Sequence, residues 1–175
     1  MNTVVPLGLA IEAELLSKTT VQSKWFQWAT KAYSDGTLEE VLGNAGVTIL
    51  HLMKQLQGFE NMTVVDQTWI RAYSSHFQTK EDCRGIINFP LDVITGREAQ
   101  FQLQGADAVA ALRQKPGMMV EGMKDFALPP HYFISLFRAA FPYGLVVELE
   151  KAGHFCQEDQ PDTLVALIDQ FIQLT

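Results

Sequence analysis

A chain of 175 residues, 47% of them hydrophobic, is long enough for one domain with a buried core. Its net charge of −7 is scattered, with no block of Lys and Arg, which excludes a surface built to follow a nucleic-acid backbone or to lie on an anionic membrane. No apolar run reaches the roughly 18–20 residues of a membrane span, the opening MNTVVPLGLA has no basic region leading into an apolar one, and Cys83 and Cys156 lack metal-ligand spacing; the reading is a cytoplasmic protein with free thiols and neither metal nor cofactor.

Residues 1–113 read as helices. TLEEVLGNAGVTILHLMKQLQG opens with Thr37 and Glu40 at capping-box spacing and places Leu38, Val41 and Leu42 on one face; Gly43 and Gly46 weaken it and Gly58 stops it. In VVDQTWIRAYSSHF, Asp66 caps a helix that turns Trp69, Ile70 and Tyr73 inward. KEDCRGIINFPLDV predicts a short helix ending near Pro90, and REAQFQLQGADAVAALRQ continues the helical style up to Pro116.

Beyond Pro116 the periodicity changes. GMMVEG, PPHYFISLFRAAFP, GLVVELE and PDTLVALIDQFIQ read as strand, helix, strand and helix, the alternation of a parallel βαβ unit. The two helices carry apolar stripes suited to covering a sheet, Phe133, Leu136, Phe137 and Ala140 on one and Leu164, Leu167, Ile168 and Phe171 on the other. The fold class is therefore α/β, a mostly helical segment over 1–113 followed by a βαβα unit with a small parallel sheet over 114–175. Two strands leave unpaired edges, and the GMMVEG edge predicts a neighbour: a second copy in a homodimer or larger assembly, or another polypeptide.

Parallel sheets present their chemistry beyond the C-terminal ends of the strands. GMMVEG delivers Asp125 there, and VVELE runs into KAGHF, which delivers His154. A buried carboxylate that accepts from one ring nitrogen fixes the imidazole tautomer, so that the other nitrogen takes a proton from water. An aspartate after a strand is equally a turn or helix cap, and a histidine there an ordinary loop residue; spacing leaves both readings open. His76 and His131 read as surface residues. No G-x-S/D-x-G nucleophile elbow occurs, and in VVDQTW the residues after Asp66 are Gln67 and Thr68, too large for the strained turn, so Asp66 reads as a helix cap.

GMKD, an apolar stretch and ELEKAGHFCQED resemble the end of haloalkane dehalogenases, members of the α/β-hydrolase superfamily, and also of its epoxide hydrolases and esterases, while TWIRAYSSHFQTKEDCRGIINFP resembles more narrowly the dehalogenase lid; Ser75 and His76 depart from the proline-bearing loop found there. The resemblance covers nearly the whole chain and makes MNT the tail of the sixth strand of the hydrolase sheet. It implies a truncated α/β-hydrolase that keeps the acid, Asp125, and the base, His154, of a catalytic triad, while the nucleophile and the first five strands lie elsewhere. In that family an Asp nucleophile displaces halide to give an alkyl ester, tryptophans cradle the halide, and the histidine activates water against the ester. Trp28 falls where the lid supplies a halide-binding indole, and Trp25 matches a neighbouring pocket aromatic, although both also read as lid core at i and i+3. Phe89, Ala127 and Leu128 match residues lining an apolar pocket for a small apolar substrate. Alone, such a chain is expected to be inactive, and its expected partners are an N-terminal hydrolase fragment that complements it or a second copy of itself.

Overall fold

A computed structural model of the chain describes Glu14, Lys18 and residues 21–55, 59–97 and 106–175. The expected sixth-strand tail at MNT, the helix stop at Gly58 and the start of the helix before Ala106 lie outside these residues.

Helix α1 (Lys24–Ser34) starts where the Ser23 hydroxyl accepts the amide of Phe26 at 3.3 Å, and it buries Phe26, Ala29 and Ala32. The helix expected from Thr37 onward is two helices, α2 (Leu38–Leu42) and α3 (Ala45–Gln55). The break falls at Gly43 and Asn44, and Gly46 explains its use: a Cβ there would lie 2.1 Å from the carbonyl oxygen of Phe77, so the bare backbone lets α3 close on that turn. Thr37 makes no side-chain cap and instead donates to the carbonyl of Ala32 at 3.3 Å, so the expected capping box is not formed. Leu38 and Leu42 are buried while Val41 is 37% exposed; the inward stripe follows i and i+4, and Val41 turns out of it.

A 3₁₀ turn (Met62–Val64) leads to α4 (Gln67–Ser74), where the Asp66 carboxylate accepts the amide of Trp69 at 2.7 Å, the cap read from sequence. Helix α5 (Arg84–Thr95) does not end near Pro90 but runs through it to Gly96, whose φ of 68° closes it in the left-handed region. Proline removes one backbone donor; here its ring is among the most deeply buried side chains of the chain, which offsets that loss. Helix α6 spans Ala106–Arg113.

The βαβα unit is present as expected. Strands β1 (Met118–Gly122) and β2 (Leu145–Leu149) pair in parallel, from Met118 opposite Leu145 to Gly122 opposite Leu149, and α7 (Pro130–Ala140) makes the crossover. A short α8 (Cys156–Asp159) and a long α9 (Pro161–Leu174) close the chain. The α7 stripe is covered, with Phe133 and Ala140 buried. The α9 stripe is not: Leu164 reaches the cluster of Leu149, Ala152 and Cys156, but Ile168 stays 44% exposed and no residue of α9 is buried, because two strands are too narrow to cover fourteen residues of helix. Helical segment and sheet share a core in which Phe26 of α1 packs with Ala127, Leu128 and Phe133. Among the described residues no helix is long and apolar enough to cross a membrane.

Candidate active site

The ends of β1 and β2 are held against each other by backbone. The amide of Met123 donates to Leu149 and that of Lys124 to Ala152, both at 3.0 Å. Gly122 makes the approach possible, since a Cβ on it would lie 2.2 Å from the carbonyl oxygen of Gly153 and 2.8 Å from that of Ala152.

This contact brings Asp125 and His154 together, 29 residues apart in sequence, with Oδ2 of the carboxylate 2.8 Å from Nδ1 of the ring. The other oxygen, Oδ1, accepts the amides of Ala127 at 2.8 Å and Leu128 at 2.9 Å. The Asp125 side chain is 1% exposed and that of His154 15%. A carboxylate fixed by two amides and facing Nδ1 selects the tautomer with its proton on Nδ1, which makes Nε2 the basic nitrogen. Asp125 is thus both a turn cap and the partner of the histidine; the two sequence readings describe its two oxygens.

His154 lines a largely apolar cavity of about 670 Å³. Helices α1, α3 and α5 roof it, and the loops after the two strands form its floor. Of the pocket residues expected from sequence, Trp25, Phe89, Ala127 and Leu128 line it. Trp28 does not: it packs on Trp25 with ring centroids 5.0 Å apart, half-buried against the helical cluster around Ala29 and Leu38. His76 and His131 are exposed, as expected, and both cysteines are buried free thiols. Among the described residues no group of three His, Cys, Asp or Glu side chains is placed to hold a metal ion.

Three acidic residues near the dyad were not singled out from sequence. Glu121, on β1, is 8% exposed, and burial, then the charge of Asp125, pushes its carboxyl up to about 8. Burial and the neighbouring Glu121 also push up the Cys156 thiol. A charge inside the otherwise apolar run GMMVEG was the available signal for Glu121. The others, Glu158 and Asp159, follow His154 in FCQED and bond to residues about ninety positions upstream, which no local pattern reveals.

No family model matches the chain. Haloalkane dehalogenase 2 of Mycobacterium tuberculosis is 38% identical to it over 85 residues, 49% of this chain and 29% of that protein. Over those 85 residues the chain is similar to a haloalkane dehalogenase. Haloalkane dehalogenase 2 of Mycobacterium bovis matches to the same extent. A second α/β-hydrolase relative, the cis-3-alkyl-4-alkyloxetan-2-one decarboxylase of Xanthomonas campestris, is 26% identical over 106 residues, 59% of this chain and 35% of that one. The chain thus spans about a third of the length of the curated relatives it matches.

Proposed function

We propose that this haloalkane dehalogenase-like chain supplies the acid, the base and the apolar cover of an α/β-hydrolase site acting on small alkyl halides, with the attacking carboxylate carried by a separate polypeptide segment. The observation that carries the reading is the Asp125–His154 pair, 2.8 Å apart, at the wall of the apolar cavity. A histidine oriented by a buried carboxylate suits removal of a proton from water as it attacks an ester, and the carboxylate stabilises the imidazolium that results. The apolar walls suit a substrate without hydrogen-bonding groups and exclude competing water. Trp25, which lines the cavity, is the indole available on the cover side for a leaving halide, with Trp28 packed behind it. The sequence contains no nucleophile elbow, and loss of the nucleophile alone costs on the order of a million-fold in the best-studied triad, so the isolated chain is expected to be inactive.

The test is complementation. The N-terminal part of haloalkane dehalogenase 2 of Mycobacterium tuberculosis, with its attacking group, is mixed with this chain and halide release is followed across a series of alkyl bromides and chlorides. Turnover should appear only on mixing. With His154→Ala the reaction should stop after about one halide per site, because the ester forms but is not hydrolysed. Absence of halide release from every substrate, with the two polypeptides shown to associate, overturns the reading.

A second reading, a self-associating module without catalysis, is favoured by the uncovered α9 face and the sheet margin: Val165 is 65% exposed, Ile172 68%, Leu174 73% and Leu145 55%. It predicts a dimer or larger assembly in sedimentation at about micromolar concentration, where interfaces of ordinary size hold together. A folded monomer under those conditions removes it.

A further inference from the structure

The dyad loops are tied to one short stretch of the helical cover. Asp159, at the end of α8, reaches in two directions. Its Oδ2 accepts the amide of Gly153, the residue before His154, at 2.8 Å, and its Oδ1 accepts the amides of Glu60 and Asn61, each at 2.7 Å. On the acid side, Lys124, next to Asp125, closes an ion pair with Glu60 at 2.9 Å. Glu158, the residue before Asp159, takes the indole N–H of Trp69 at 2.8 Å and the phenol of Tyr73, both on α4. Residues 60–61 therefore answer to both loops, and α4 to the histidine side.

We propose that Asp159 is a positioning residue that couples the cover to the histidine turn, so that the imidazole is held against Asp125 only while segment 60–74 is seated. The proposal rests on the reading of Asp125 and His154 as a working pair. Hydrogen bonds from amides to a carboxylate are shorter and roughly twice as strong as neutral ones. One carboxylate that receives three of them from two separate segments makes the segments move together. Glu158 strengthens the same link from the side of α4: the Tyr73 phenol is pushed up to about 12, by burial first and then by the hydrogen bond and charge of Glu158. Asp159→Asn is discriminating because a carboxamide has one acceptor oxygen, which serves the Gly153 amide or the pair on the cover, but not both.

The experiment uses the full chain in three variants, Asp159→Asn, Glu158→Gln and Asp125→Asn. Its readouts are amide hydrogen exchange and the low-field resonance of the Nδ1 proton of His154. In Asp159→Asn, exchange at Gly153, or at Glu60 and Asn61, should quicken by roughly tenfold or more, as loss of a charge-assisted hydrogen bond requires. The Nδ1 proton should broaden or disappear, an effect that a purely structural tie would not have. Glu158→Gln, which also serves should Asp159→Asn fail to fold, should bring the pKa of the Tyr73 phenol down from its raised value and weaken the same ring signal to a smaller degree. A ring signal unchanged in both variants overturns the proposal. Asp125→Asn separates the two claims: if it leaves the ring signal in place, the dyad reading falls, and exchange at Gly153, Glu60 and Asn61 still decides whether the cover and the histidine turn are coupled.

Discussion

Replacing Glu121 by glutamine should make the chain more stable above about pH 8 by a few kcal/mol, and change little near about pH 4, as linkage requires of a buried acid with a raised pKa. In the folded chain the carboxyl of Glu121 is pushed up to about 8 from 4.5, by burial and then by Asp125, and no hydrogen bond from the described residues offsets that burial. A raised pKa means that the folded form holds its proton where the unfolded chain has lost it. The stabilising contribution is complete below about 4.5 and is lost as pH rises through about 8. At about 1.4 kcal/mol per pKa unit the ceiling is ~3–5 kcal/mol, and glutamine removes the ionisation while keeping the shape. Urea unfolding at about pH 5, pH 7 and pH 9 would show the gap between variant and parent widening with pH. A gap that stays flat would mean that Glu121 is solvated or paired.

Gly122→Ala should separate the dyad. The added methyl would lie 2.2 Å from one backbone oxygen and 2.8 Å from another, and backbone, unlike a flexible side chain, yields only by moving a whole loop. Overpacking of this kind costs roughly 1–3 kcal/mol, about 2–4 °C of Tm for each kcal/mol in a chain of this size. The 3.0 Å bonds from Met123 and Lys124 and the 2.8 Å contact between Asp125 and His154 share that junction, so all should lengthen together. The expected signature is a lower Tm with loss of the low-field ring proton. A variant with parental melting and an intact ring signal would show that the loops can part without cost.

The βαβα unit was legible because each strand is a short apolar run bounded by Pro or Gly, and each helix repeats its stripe every three to four residues. Asp125 and His154 were legible for a related reason: both stand just past a strand, where a parallel sheet places its chemistry whatever lies between. The split of the helix at Gly43 was half visible, since glycine marks weakness but not whether a neighbour exploits it. The passage of α5 through Pro90 was not visible, because the compensation is tertiary. Periodicity places Val41 and Ile168 on inward faces, but how far a stripe is covered depends on the width of what lies opposite. The partners of Glu158 and Asp159 are set by docking of distant segments; the Asp159–Glu60 bond spans 99 residues.

The placement of the two thiols gives the molecule a built-in gauge. Cys83, fully buried, sits among the helices beside Leu38 and Ile87, whereas Cys156 sits under the strands with Leu149 and Ala152. A thiol reagent reaches each only when its surroundings open, and local opening free energies differ across a structure. The order in which the two sulfurs react therefore ranks the stability of helices against strands, without any label being introduced.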